Sequence, residues 1–175
     1  LDRKCSSGLN ALALAARGIM CNEIDVAVAG GMESISLALN KHTPAFRNRS
    51  EFIKAADPHA YMAMIETAEI VADRYGVSRE AQDAFAATSQ QRAGAAQAAG
   101  RFADEIVPIT VTRALFDKEG NETGKEELTL AHDEGVRGDT TAEKLAGLKP
   151  VFKDGLVVKE GRHITAGNAS QLSDG

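Results

Sequence analysis

The sequence predicts an α/β fold in which helices cover the faces of a sheet. Leu9, Leu12, Ala13, Ala16 and Met20 recur at helical spacing over 6–21, behind Ser6 and Ser7. The run Val26-Ala27-Val28-Ala29 is apolar at every position and too short for a helix, as suits a strand buried on both faces. Gly30-Gly31 follows as the expected turn. Helix, strand and turn in that order belong to a layered α/β architecture.

The remaining elements follow along the chain. Residues 37–57, with His42, Pro44, Arg47, Asn48, Arg49 and Ser50, show no period and are expected to be exposed and partly irregular. A helix is expected over 59–75, closed by Gly76. Ser78 then caps a long Ala-rich helix with Glu80 in its first turn and Gly100 just past its end. Residues 105–113 are β-branched and strand-like, and Pro108 marks an edge or a bulge. Residues 117–127 are charged and polar, with Gly120-Asn121 as a turn. Thr140 and Glu143 have the spacing of a capping box before Leu145 and Leu148, and Pro150 stops that short helix. Asp154-Gly155 signals a turn, Leu156-Val157-Val158 a brief strand, and 164–170 a strand end and loop. No internal repeat is visible.

Composition excludes several functional classes. Among 175 residues, 20 Lys and Arg face 25 Asp and Glu, a net charge of −5, which disfavours a grip on the phosphates of nucleic acid. No apolar run approaches the roughly 18 residues of a membrane helix. Two cysteines make no disulfide framework, so a reducing compartment is expected. Neither G-x-G-x-x-G nor a P-loop is present, and His42, His59, His132 and His163 have no metal-binding spacing; each is expected to lie on a surface or loop. The acidic residues of 117–134 read as a solvated face. The chain opens at Leu1 and stops at Gly175 in what reads as a turn, so it is expected to be an internal piece of a longer protein.

Cys5 is the first candidate for chemistry. It stands at the start of the first expected helix, where unpaired N–H groups and the helix dipole stabilise a thiolate able to accept an acyl group. Gly8 leaves room for a ligand or another backbone to approach. The alternative is a small buried hydrophobe, a common role of free cysteine. Cys21, at the end of that helix among apolar residues, is expected to be structural. The strand-ending Gly30-Gly31-Met32-Glu33-Ser34 is either a turn near a site or a plain turn. Met62 and Met64 either pack in a core or line an apolar pocket.

Five segments together resemble the thiolase family. Asp2-Arg3-Lys4-Cys5-Ser6-Ser7-Gly8-Leu9-Asn10-Ala11 is similar to the family's nucleophilic cysteine motif, and Gly30-Gly31-Met32-Glu33-Ser34-Ile35-Ser36 to its GGMESMS signature. Met64 with Thr67-Ala68-Glu69 resembles M-x-x-T-A-E. Arg137-Gly138-Asp139-Thr140-Thr141 through Leu145-Ala146-Gly147-Leu148-Lys149-Pro150-Val151-Phe152 resembles the run ending in L-x-P-x-F. Thr165-Ala166-Gly167-Asn168-Ala169-Ser170 with Asp174-Gly175 resembles T-A-G-N-A-S-x-x-x-D-G. The resemblance covers essentially the whole chain, in order.

The resemblance implies an αβαβα layered core, of which this chain holds part of the N-terminal half. Residues 1–36 would belong to that core, 37–163 to an inserted α+β loop domain for CoA binding and assembly, and 164–175 to the return. It implies acyl transfer between coenzyme A thioesters: cleavage of a 3-oxoacyl-CoA, or condensation of two acetyl-CoA, through an acyl group carried on Cys5. Backbone N–H groups at the helix start suit an oxyanion hole. By the same carry-over Ser170 contacts the pantetheine arm and Arg137 the adenine-ribose end of CoA. Met64 and Phe152 line the acyl and pantetheine pocket, and Ala166 and Gly167 leave room for it. Coenzyme A is a substrate, with no permanently bound cofactor and no metal.

The implied partners are acyl-CoA, CoA and further copies of the chain in a dimer or tetramer, with no nucleic acid and no membrane. The implied location is cytoplasmic, with mitochondrial and peroxisomal ones left open. The family's G-H-P histidine, its second cysteine in C-x-G-G-G and its N-E-A-F asparagine have no counterpart here, so the chain alone is expected to be inactive. Ala63 replaces a His of some members, and Lys144 a CoA-contacting Ser. The alternatives are a ketoacyl synthase-type condensing enzyme, a CoA-binding protein without turnover, and an assembly module.

Overall fold

The computed structural model describes residues 1–38 and 49–173. His42, Pro44, Arg47, Asn48 and the Asp174-Gly175 end of the last motif lie outside the described residues. The chain divides into two compact units, residues 1–48 with 171–175, and Arg49–Ser170.

In the first unit, α1 spans Ser7–Met20 and ends at Cys21, which donates its N–H to the Arg17 carbonyl. A short α2 covers Ile35–Ala38. The expected strand at 26–29 does not form. The segment carries no regular structure, none of the described residues pairs with it, and Val26 and Val28 are 83% and 99% exposed. A strand is defined by its neighbour, and apolar composition alone supplies none. Gly30 and Gly31 are not a turn either: neither lies in a turn or bend and neither has a positive φ.

The second unit opens with α3, Glu51–Ala56, in a region expected to be exposed and partly irregular. The Ser50 hydroxyl accepts from the Ile53 N–H at its start, a cap that the aperiodic sequence obscured. Helix α4 runs from Met64 to Tyr75, shorter than expected because residues 57–63 form turns, and Gly76 closes it at φ +65°. Helix α5, Arg79–Ala98, starts on a Ser78 cap that accepts from Ala81 and is followed by Gly100 at φ +68°, both as expected. Left-handed φ at these two C-terminal positions favours glycine, which lacks the clashing Cβ.

Strands β1 (Ile109–Phe116) and β2 (Glu122–Leu130) form an antiparallel hairpin with Ile109 opposite Leu130 and an irregularity at Leu115/Phe116. The first strand starts after Pro108, not at 105, because proline has no N–H for the ladder. The hairpin turn is tied by Asp117, whose carboxylate accepts from the backbone of Glu119 and Asn121.

Helix α6 is Ala142–Ala146. Its cap is Thr141, which accepts from Lys144, one residue later than the capping-box spacing suggested. Thr140 is buried instead and donates its hydroxyl to the Arg137 carbonyl.

Leu156-Val157-Val158 is not a strand. Lys153 and Glu160 form an isolated bridge, and between them the backbone bonds Asp154 to Lys159 and Gly155 to Val158 close a short loop. The N–H groups of Val157 and Val158 go to the Glu66 carboxylate, so a side chain replaces the strand partner.

Candidate functional site

Cys5 is exposed and free, so it does not have the buried structural role. It follows Lys4, a non-glycine residue with φ +55°. Such backbone is uncommon and needs local support. Asp2 Oδ1 accepts from the Lys4 N–H at 2.8 Å. The Ser7 hydroxyl accepts from Arg3 N–H at 2.9 Å and donates to the Lys4 carbonyl at 2.7 Å. Two side chains thus knot the turn that displays the sulfur, and Ser6 follows as the N-cap of α1. Sequence inspection gave Cys5 a chemical role but gave Asp2 and Ser7 no part in holding its turn; an Asp two residues before that position is the signal that could have found it. A Cβ on Gly8 would meet nothing within 4 Å. Cys21 is exposed at the other end of α1, away from the buried place expected for it.

In the second unit the site motifs interlock. Helix α4 presents Glu66 and Glu69, 2% and 1% exposed, to the backbone of 155–164. Glu66 Oε1 accepts from Val157 and Val158 at 2.6 and 3.0 Å. Glu69 accepts from Arg162, His163 and Ile164 at 2.8–3.1 Å. Burial pushes the Glu66 carboxyl up, but the N–H groups of Val157, Val158 and Leu156 and the charge of Lys159 outweigh it and hold it below the ordinary value. Hydrogen bonds from Arg162 and His163 likewise hold Asp73 down, and Asp73 raises Arg162. His163 is half-buried, with Nε2 on Asp73 Oδ1 at 2.9 Å and a buried, unpaired Nδ1.

The loop bearing Ser170 is fixed from α5. Asn168 Oδ1 accepts from the Thr165 N–H at 2.8 Å, while its amide donates to Asp83 Oδ1 at 3.0 Å and to the His163 carbonyl at 2.9 Å. Thr165 is fully buried, and its hydroxyl accepts from Gly167 and Asn168. Asp83, 2% exposed, is paired with Arg79 at 2.8 Å, and Arg79 donates to the carbonyls of Leu145 and Leu148. A Cβ on Gly167 would stand 2.4 Å from Leu145 and 2.6 Å from Leu148. The side-chain tips of Leu145 and Leu148 thus pack closely on Gly167.

These bonds tie 164–170 to α4 and α5. Ser170 and Ala166 are exposed at its surface. Phe152 is half-buried, its ring against Gly155. Met64, the first residue of α4, is 77% exposed. Arg137 is exposed, and its backbone N–H donates to Gln90 Oε1 of α5 at 2.8 Å. An open groove of about 510 Å³ beside it is lined by Gly94, Gln97, Ala98, Val136 and Gly138. Among the described residues no cluster of His, Cys, Asp and Glu could hold a metal ion, and no helix is long and apolar enough to cross a membrane.

The family model described as "Thiolase, N-terminal domain" matches residues 1–175. The chain belongs to the thiolase family and has its α/β fold.

Among curated relatives it is 47% identical to 3-ketoacyl-CoA thiolase A, peroxisomal, of Rattus norvegicus, over 100% of this chain and 38% of that protein. It is 46% identical to 3-ketoacyl-CoA thiolase of Bacillus subtilis, over 100% and 42%. The solved dimeric peroxisomal thiolase of Saccharomyces cerevisiae superposes with a TM-score of 0.73 at 35% identity, covering 99% of this chain and 40% of that one. The Bacillus anthracis acetyl-CoA acetyltransferase superposes at 0.69 with 38% identity, over 99% and 42%. The chain therefore spans roughly two fifths of these relatives.

Proposed function

We propose that the polypeptide containing this chain transfers acyl groups between coenzyme A thioesters, with Cys5 as the acyl carrier. The observation that carries this reading is the exposed Cys5 sulfur on a left-handed turn held by Asp2 and Ser7 at the head of α1. Relatives named 3-ketoacyl-CoA thiolase and acetyl-CoA acetyltransferase support the substrate class.

In cleavage, the Cys5 thiolate adds to the keto carbonyl of a 3-oxoacyl-CoA. Backbone N–H groups at the helix start are suited to the oxygen that becomes negative. Acetyl-CoA departs as its enolate and is protonated, leaving an acyl-thioester on Cys5. Free CoA then takes the acyl group. The 164–170 loop with Ser170, Ala166 and Gly167, together with Met64, Phe152 and Arg137, holds CoA in this reading. No residue of this chain is assigned as base or proton donor, so the acid–base work belongs to other parts of the polypeptide.

Self-association into a dimer is part of the proposal, supported by the dimeric yeast structure. A tetramer, a cytoplasmic location and the absence of a resident cofactor are carried from the sequence as further parts of it. The test is mass spectrometry of the full-length polypeptide after incubation with acetyl-CoA. An acetyl group should appear on the peptide containing Cys5 and vanish in Cys5→Ala. An adduct that persists in Cys5→Ala contradicts the assignment.

A further inference from the structure

One face of α5 meets both segments assigned to coenzyme A. Asp83, Ala87, Gln90, Gln91 and Gly94 fall within about a third of the helix circumference at roughly 100° per residue. Asp83 holds the Asn168 amide of the Ser170 loop. Gln90 accepts from the Arg137 N–H, and Gln91 donates to the Thr140 carbonyl at 2.9 Å. Gly94 lies against Gly138, so close that a Cβ on Gly94 would stand 2.6 Å from the Gly138 α-carbon. Ala87, 5% exposed, fills the face between them. The two segments are far apart in sequence, and one continuous helix supports both. Seven residues from Asp83 to Gln90 give a rigid separation of about 10 Å along the axis.

We propose that this α5 face, through Asp83 and Gln90, is a positioning device for coenzyme A: it fixes the spacing between the Ser170 loop and the Arg137 turn. The inference rests on the thioester reading above and extends it to residues that touch no substrate. A long, thin ligand gains affinity when its contacts are held at the right spacing before it arrives, since less ordering remains to be done on binding. The acyl end of the thioester is outside this device. Loss of a positioning bond therefore weakens binding of the nucleotide-bearing part and spares the chemical step at Cys5.

The test compares two acyl donors on the full-length polypeptide: acetyl-CoA, and S-acetyl-N-acetylcysteamine, which keeps the thioester but lacks the nucleotide. Gln90→Ala should raise KM for acetyl-CoA about fivefold, the worth of one ordinary hydrogen bond, with kcat within about twofold. Gln90→Glu retains an acceptor oxygen for the Arg137 N–H and should restore KM to within about twofold of wild type. Asp83→Asn keeps an acceptor for Asn168 but gives up the charge facing Arg79, and should raise the same KM severalfold. Acylation by S-acetyl-N-acetylcysteamine should stay within about twofold in all three variants. Equal losses with both donors mean a general structural role and overturn the proposal, as does an unchanged KM for acetyl-CoA in Gln90→Ala. Should Gln90→Ala not fold, Asp83→Asn decides on the same two criteria. Failure of the underlying reading looks different: wild-type Cys5 then accepts acetyl from neither donor, and both inferences fall.

Discussion

The turn that displays Cys5 and the loop that carries Ser170 are both irregular backbone, and they are held by opposite means. Around Cys5 the bonds, made by Asp2 and Ser7, are exposed and span two to four residues. Around 155–170 they come from buried carboxylates, Glu66, Glu69 and Asp83, that reach across 85 or more residues. Local, water-exposed bonds contribute little to stability but can aim one atom. Buried charges with complete sets of N–H partners are costly to disturb, because removing either side strands the other in a place water does not reach. The first device is suited to presenting a reactive atom, the second to building a rigid wall.

The largest expected effect follows from that contrast. Glu69→Ala would leave the buried N–H groups of Arg162, His163 and Ile164 without their acceptor. Denaturant unfolding of the full-length polypeptide should show a loss of about 3 kcal/mol or more. A loss under about 1 kcal/mol would mean that water replaces the carboxylate and that the wall is not dry.

Acid should act on the same wall. Glu66 and Asp73 are held below their ordinary values of 4.5 and 3.8, so the folded state binds their protons less readily than the unfolded chain. Their stabilisation is present above those ordinary values and is lost as pH falls through the lowered ones. Glu66→Gln should flatten the acid limb of a stability–pH profile below the ordinary carboxylate range. An unchanged acid limb would contradict the assigned role of the Val157 and Val158 N–H groups.

Gly94→Ala sets two effects against each other. Helix propensity favours Ala by about 1 kcal/mol. The clash lies with the Gly138 backbone, which cannot rotate away as a side-chain tip can, and overpacking of this kind costs about 1–3 kcal/mol. A net loss of about 1 kcal/mol is expected in thermal unfolding, and a net gain would show that the Arg137 turn is free to move off α5.

The smallest stability effect belongs to the Cys5 turn. Asp2→Ala and Ser7→Ala should each cost less than about 1 kcal/mol. Each should still slow acetylation of Cys5 severalfold in a single-turnover assay, because Lys4 would no longer be pinned at its left-handed φ. Variants with unchanged acetylation would separate the turn from the chemistry.

How far the sequence could be read divides along the same line. Local signals were legible: α1, the Ser78 cap, Gly100 beyond α5, and the cysteine itself all depend on neighbouring residues. Features that depend on a distant partner were not. Residues 26–29 have strand composition but no pairing partner among the described residues, and Val157 and Val158 spend their N–H groups on Glu66. Glu66, Glu69 and Asp83 receive no structural role from the sequence, since nothing near them announces partners 85 to 95 residues away. Gly94 inside an Ala-rich helix was a further overlooked local cue, because an interior glycine there costs helix stability unless something packs against it.

Helix α1 carries its own control for the central claim, since Cys5 stands before its first residue and Cys21 caps its last, both exposed. Peptide dipoles favour negative charge at the first position and oppose it at the second. Iodoacetamide labelling of the full-length polypeptide at neutral pH, followed residue by residue, reads the difference. Cys5 should react about tenfold faster than Cys21 or more, and acetyl-CoA should protect it alone. Equal rates at the two sulfurs, with no protection by the thioester, would contradict Cys5 as the acyl carrier.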